Sequence, residues 1–197
     1  IDGGTTWGRP ILDAGVNIYN LDVSGRNPNR VIAGAFTRGV HVSEDAGATW
    51  VQGVGITGNV YRAFYTDAHP DRAWALTSDG VFRSDNGGRN WVSVGQIRIG
   101  GAIKHTFEIE VSPWDANTVY SLSIDGDLVV TRNGGSSWQI DDDGLPKDPE
   151  CNICEEIQHL VFDGRTPGQT YIAGGVLGDG VEPQSMWIYQ REEPGTS

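Results

Sequence analysis

Carboxylates dominate the chemistry this chain could offer. Asp and Glu number 26 against 14 Lys and Arg, for a formal net charge of −12 over 197 residues. Opposed carboxylate pairs are what acid–base and glycosidic chemistry need. Asp13, Asp22, Glu108, Glu110, Asp125 and Asp127 supply them in number, so their presence alone decides little. Asp141 to Asp143 offer oxygen ligands that could hold Ca²⁺, although a solvated acidic turn is the plainer reading; no cofactor is otherwise implied. Cys151 and Cys154 read first as a local disulfide. Free thiols, or a metal or redox site, are the alternatives, but only His159 lies near and no βαβ context surrounds the pair. No Ser–His–Asp or Cys–His set can be assigned from spacing, and no Gly-rich loop precedes a helix to cradle phosphate. No residue is therefore read as catalytic and none as a resident metal ligand.

The acidic balance argues against nucleic acid, whose affinity comes from Lys and Arg neutralising phosphates, and against an anionic membrane surface. No apolar stretch reaches 18 residues, so no membrane insertion is expected. Gly is abundant at 28 residues, and Val, Ile, Tyr and Trp fall in short runs. Such turn-rich composition points to an all-β protein.

The elements that must position these groups repeat. Ser43-Glu44-Asp45-Ala46-Gly47-Ala48-Thr49-Trp50 is echoed by Ser84-Asp85-Asn86-Gly87-Gly88-Arg89-Asn90-Trp91 and by Thr131-Arg132-Asn133-Gly134-Gly135-Ser136-Ser137-Trp138. The end of another copy, Asp2-Gly3-Gly4-Thr5-Thr6-Trp7, opens the chain, which therefore reads as mature, processed or partial. The tryptophans recur at intervals of 43, 41 and 47 residues, the length of one four-stranded propeller blade. Asp2, Asp45, Asn86 and Asn133 are expected to accept bonds from their own turn. The glycines allow the chain to double back, and Trp7, Trp50, Trp91 and Trp138 start the next strand against an apolar neighbour. A strand–turn–strand unit precedes each motif, so each blade reads as inner strand, second strand, third strand, hairpin, outer strand. One propeller domain or segment spans 1–197, with pieces near 1–13, 14–56, 57–97, 98–146 and 147–197.

The octapeptide resembles the Asp-box, or BNR, repeat of sialidases, xyloglucanase-type glycoside hydrolases, the sortilin ectodomain and photosystem II assembly factors. The resemblance implies a β-propeller of four-stranded blades with Asp-box hairpins, about four of them here. They would be closed by terminal-strand exchange, completed by further copies, or part of a larger ring. The repeat is shared by members of unrelated activity and implies no single function. A sialidase would need an arginine triad, a tyrosine nucleophile and acidic partners. Gly8-Arg9-Pro10-Ile11 only faintly echoes that family's Arg-Ile-Pro element, and sialidase is rejected.

Aligning the inner strands gives a polar column of Asn20, Arg62, Glu108 and His159, expected to face a central channel. These four, with His105 on the long loop 97–105, are the ligand-binding candidates. The bland reading is an Arg62–Glu108 pair between blades. Trp114 and Trp187 could stack on sugar rings or simply pack, and Trp74, between Ala73 and Ala75, is expected between blades. The sequence thus reads as a non-catalytic binding or assembly module, secreted, cell-surface or periplasmic. Its expected partner is a protein or copies of itself, with polysaccharide as a further possibility. Part of a xyloglucanase-like hydrolase is the alternative.

Overall fold

A computed structural model describes residues 17–143, 145, 156–162, 169–175 and 186–192. Among the described residues, short Val-, Ile- and Ala-rich runs separated by Gly, Asp and Asn turns form strands and no helix. The first sheet contains β1 (Ile18–Val23), β2 (Val31–Ala35), β3 (Gly39–Ser43) and β4 (Val51–Gln52). The second contains β5 (Val60–Tyr65), β6 (Ala73–Thr77), β7 (Gly80–Ser84) and β8 (Val92–Gly95). A ribbon of β9 (Arg98–Ile99) and β10 (Ala102–Ile103) precedes the third sheet: β11 (Thr106–Val111), β12 (Val119–Ser123), β13 (Leu128–Thr131) and β14 (Gln139–Ile140). The fourth has β15 (Glu156–Phe162), β16 (Gln169–Gly175) and β17 (Met186–Glu192) among the described residues. Every sheet is an antiparallel meander in chain order, and the four are the blades of a β-propeller.

Strand alternation sends successive side chains into opposite seams. On β6, Ala73 and Ala75 join Ile32, Val40, Val42 and Phe82 between blades 1 and 2. Trp74 and Leu76 join Ile109, Val111, Val119 and Val129 between blades 2 and 3. Tyr120, Leu122, Leu128, Val130, Leu160 and Ile172 fill the seam between blades 3 and 4. Trp74, fully buried, thus packs between blades as its small neighbours suggested.

Each hairpin is held from within. Asp45 Oδ1 accepts the Ser43 hydroxyl and the Thr49 N–H, both at 2.8 Å, and Ser43 Oγ accepts Gly47 N–H at 2.8 Å. Asn86 and Asn133 accept the N–H of Asn90 and Ser137 in the same way. Gly47, Gly88 and Gly135 sit at φ 89°, 87° and 90°, where a side chain would be strained. Trp50 and Trp91 donate Nε1–H back to Gly47 O and Gly88 O at 2.9 and 2.8 Å. Trp50, Trp91 and Trp138 each stand one residue before their strand, rather than starting it. Trp91 packs into the seam with blade 1 and Trp138 against that with blade 2.

Three features depart from the simplest reading of the sequence. The segment Ile97–His105 is partly a hairpin, anchored by buried Ile97 and by Lys104 N–H bonded to Ile97 O. Strand β17 runs straight through Gln190, Arg191 and Glu192, pairing with Tyr171, Thr170 and Gln169, where blades 1 to 3 turn into the octapeptide. Every inner strand also carries a register shift at one position, between Ile18 and Asn20, Val60 and Arg62, Thr106 and Glu108, and Ile157 and His159. Asp2, Trp7, Cys151 and Cys154 lie outside the described residues.

Candidate functional site

The repeated bulge sets the geometry of the inner strands. An extra residue in one strand breaks the period-2 alternation and re-aims the side chains on either side of it. Here the extra residue is Tyr19, Tyr61, Phe107 or Gln158, and the next is Asn20, Arg62, Glu108 or His159. The first three extra residues are aromatic and 54, 38 and 44% exposed.

The polar column runs from blade to blade. Asn20 donates Nδ2–H to Ala63 O at 2.6 Å and accepts Ala63 N–H at 2.8 Å, so its amide clamps the next inner strand. Arg62 reaches Glu108 at 3.2 Å and also pairs with Glu110. Glu108 Oε2 lies 3.6 Å from His159 Nδ1. Each residue therefore meets the following blade, and His159, on the last described blade, is largely exposed. The structure brings Asn20, Arg62, Glu108 and His159 into one series and sets His105 apart from it, in a second cavity.

Two cavities flank the column. The first, about 330 Å³, takes residues from all four inner strands, including Asp22, Tyr65, Glu110 and Val161, together with Asp67. Asp22 Oδ2 accepts Tyr65 N–H at 2.8 Å. Burial pushes the carboxyls of Asp22 and Glu110 above their ordinary range, with Arg62 opposing the rise in both. Spacing alone had placed Asp22 and Glu110 among many available acids; their burial beside one cation emerges only once the strands stand side by side.

The second cavity, about 340 Å³, lies between blades 2 and 3. Tyr61 and Phe107 border it, Leu76, Val81 and Ile97 contribute apolar surface, and Ser78, Lys104 and His105 add polar groups. Lys104 is already paired with Asp127 at 2.6 Å and Asp125 at 3.1 Å. Of the other residues singled out from sequence, Trp114 is half-buried and meets Phe162 edge-on at 6.1 Å. Asp141 pairs with Arg132 at 2.9 Å. Among the described residues no group of three His, Cys, Asp or Glu side chains is disposed to hold a metal ion.

No protein-family model matches the chain, and no curated protein matches it. Solved structures do. The GH74 xyloglucanase from Xanthomonas campestris superposes with a TM-score of 0.63 at 16% identity, over 89% of this chain and 30% of that one. YCF48 from Cyanidioschyzon merolae gives 0.59 at 17% identity, over 89% of this chain and 57% of that one. The Cps50 (Swd1) β-propeller domain of Myceliophteria thermophila gives 0.57 at 13% identity, over 84% and 54%. The chain spans well under two thirds of each. At such identity the likeness establishes the propeller fold alone.

Proposed function

We propose that this chain is a non-catalytic binding and assembly module, carried outside the cytosol at the cell surface, in the periplasm or in secreted form. The observation that carries this reading is the engagement of the inner-strand carboxylates. Asp22 holds the backbone of blade 2, Glu108 faces Arg62 and His159, and Glu110 pairs with Arg62. A hydrolase needs two carboxyls free to flank a glycosidic bond, whereas these three tie blades together. Incubation with xyloglucan, followed by a reducing-sugar assay, tests the proposal. Turnover by the parent chain that Glu108→Gln abolishes would overturn it.

The partners follow from the sheet faces. Leu21 and Val23 of blade 1 are 61 and 48% exposed, while their counterparts Ala63, Tyr65, Ile109 and Val111 are buried in seams. On blade 4, Val161 and Ile188 are 58 and 75% exposed. These faces are built like the inner ones and suit another blade of the same kind, in a further copy or a longer ring. A solution mass rising above 21.3 kDa with concentration, and falling back in Leu21→Asp, would support pairing of copies. A fixed monomer mass would count against it.

A second reading rests on one specific observation. Asp22 and Glu110, both raised by burial, share the 330 Å³ cavity, and such groups serve as general acids in some sites. Hydrolysis lost in Glu110→Gln with the fold intact would favour the xyloglucanase-like alternative.

A further inference from the structure

The molecule contains both a filled and an unfilled version of one slot. In blade 1, Phe36 N–H bonds to Asn17 O; in blade 2, Ser78 N–H bonds to Asn59 O; in blade 3, Ile124 N–H bonds to His105 O. The three residues therefore hold the same place, just after the second strand of their blade. Phe36 stacks on Tyr19 with ring centroids 4.6 Å apart and tilts against Tyr61 at 6.1 Å. It occupies the space between the first two bulge aromatics. At the next seam the flanking aromatics recur as Tyr61 and Phe107, but Ser78 brings no ring, and the 340 Å³ cavity opens there.

We infer that the cavity between Tyr61 and Phe107 receives an aromatic side chain from a partner polypeptide, in the place that Phe36 takes at the neighbouring seam. The inference rests on the binding-module reading and names the chemistry of its partner. Three observations support an aromatic ring. The filled slot holds one. The walls offer two aromatic rings together with Leu76, Val81 and Ile97, and stacked or tilted rings gain beyond simple burial. The cavity's cation, Lys104, is already held by Asp125 and Asp127, leaving little demand for an anionic ligand. The hydroxyls of Thr77 and Ser78 at the lining are engaged within the chain, with Gly80 O and with Asp79 Oδ1, so burial of the ring rather than polar contact defines the fit.

The test is a titration of the isotope-labelled chain with acetyl-Gly-Phe-Gly-amide, following the amide resonances of Ser78, Lys104 and Phe107. Acetyl-Gly-Ala-Gly-amide and a xyloglucan oligosaccharide serve as comparison titrants. Saturable shifts with the Phe peptide, at least about tenfold weaker with the Ala peptide, are expected. Ser78→Phe should remove them by filling the slot from within, and Phe107→Ala should weaken them about tenfold. Phe36→Ser should open a second slot, giving new shifts around Tyr19. No shift with the Phe peptide, equal shifts with both peptides, unchanged binding in Phe107→Ala, or shifts with the oligosaccharide alone would each overturn the inference. Release of reducing sugar would instead sink the non-catalytic reading, so the two failures are distinguishable.

Discussion

The seam between blades 1 and 2 and the seam between blades 2 and 3 are built on the same strand pattern and closed by different chemistry. Along its inner strands the first uses bonds to backbone and a stacked ring: the Asn20 amide on Ala63, the Asp22 carboxylate on Tyr65 N–H, and Phe36 between Tyr19 and Tyr61, while its ion pairs, Arg30 with Asp71 and Arg89 with Glu44, join the loops and hairpins away from those strands. The second uses the ion pairs of Arg62 with Glu108 and Glu110, leaves a cavity beside Ser78, and buries Trp74 with no hydrogen-bond partner for its Nε1–H among the described residues. Blade architecture is set within each repeat, whereas the seam is where repeats are free to diverge. What sets the second seam apart is an ion-pair network between the inner strands with unfilled volume beside it.

The largest effect expected from breaking this contrast is at Trp74. Trp74→Ala empties the centre of the second seam and should cost about 3–5 kcal/mol in urea unfolding. A loss under about 1 kcal/mol would mean that blades 2 and 3 hold together by other means. Next come the clamps. Asn20→Ala leaves the Ala63 N–H and carbonyl without their partner and should cost about 1–3 kcal/mol, independent of salt. Arg62→Met should cost a similar amount near neutral pH, about 1–3 kcal/mol, with a loss that depends on salt and on pH. Equal salt dependence of the two variants would erase the distinction between seams.

The pH response sharpens the comparison further. Glu110 has a raised folded pKa, chiefly from burial, so its contribution is fully present in acid and is lost as pH rises through that value. Asp45, in the first hairpin, behaves oppositely. Bonds from the Thr49 hydroxyl and N–H and from Ser43 hold its pKa at about 2, against 3.8 for the free group. Its contribution is present above 3.8 and is lost as pH falls towards 2. Asp45→Asn, which copies the hairpins of Asn86 and Asn133, should flatten the acid limb of a stability–pH curve. Glu110→Gln should flatten the limb above the ordinary carboxylate range. Exchange of these two outcomes would refute the assignment. The smallest effect is expected of Ser78→Phe, which reproduces the Phe36 arrangement and should shift stability by no more than about 1 kcal/mol, upwards if the new ring packs.

The hairpins were legible in the sequence because their bonds join residues two to four apart, and type and spacing suffice to specify them. The inner-strand column was legible as a series, since the repeat aligns Asn20, Arg62, Glu108 and His159. Its division of labour was not: that Asn20 grips backbone while Arg62 bridges two carboxylates depends on contacts 43 to 48 residues apart. The slot beside Ser78 left no local trace, because its significance lies in a comparison with Phe36 that only matched backbone positions reveal.

The sequence by itself determined the blade, through octapeptides whose short polar side chains and left-handed glycines fold on themselves, and through strand runs that bury both faces. Tertiary structure decided how blades address one another. A one-residue bulge repeated in every inner strand re-aims aromatic and polar side chains together, and no composition or period discloses it. Burial of Asp22 and Glu110 and the filling of one seam but not the next arise only when sheets stand face to face, where volume and dielectric are shared between residues distant in the chain.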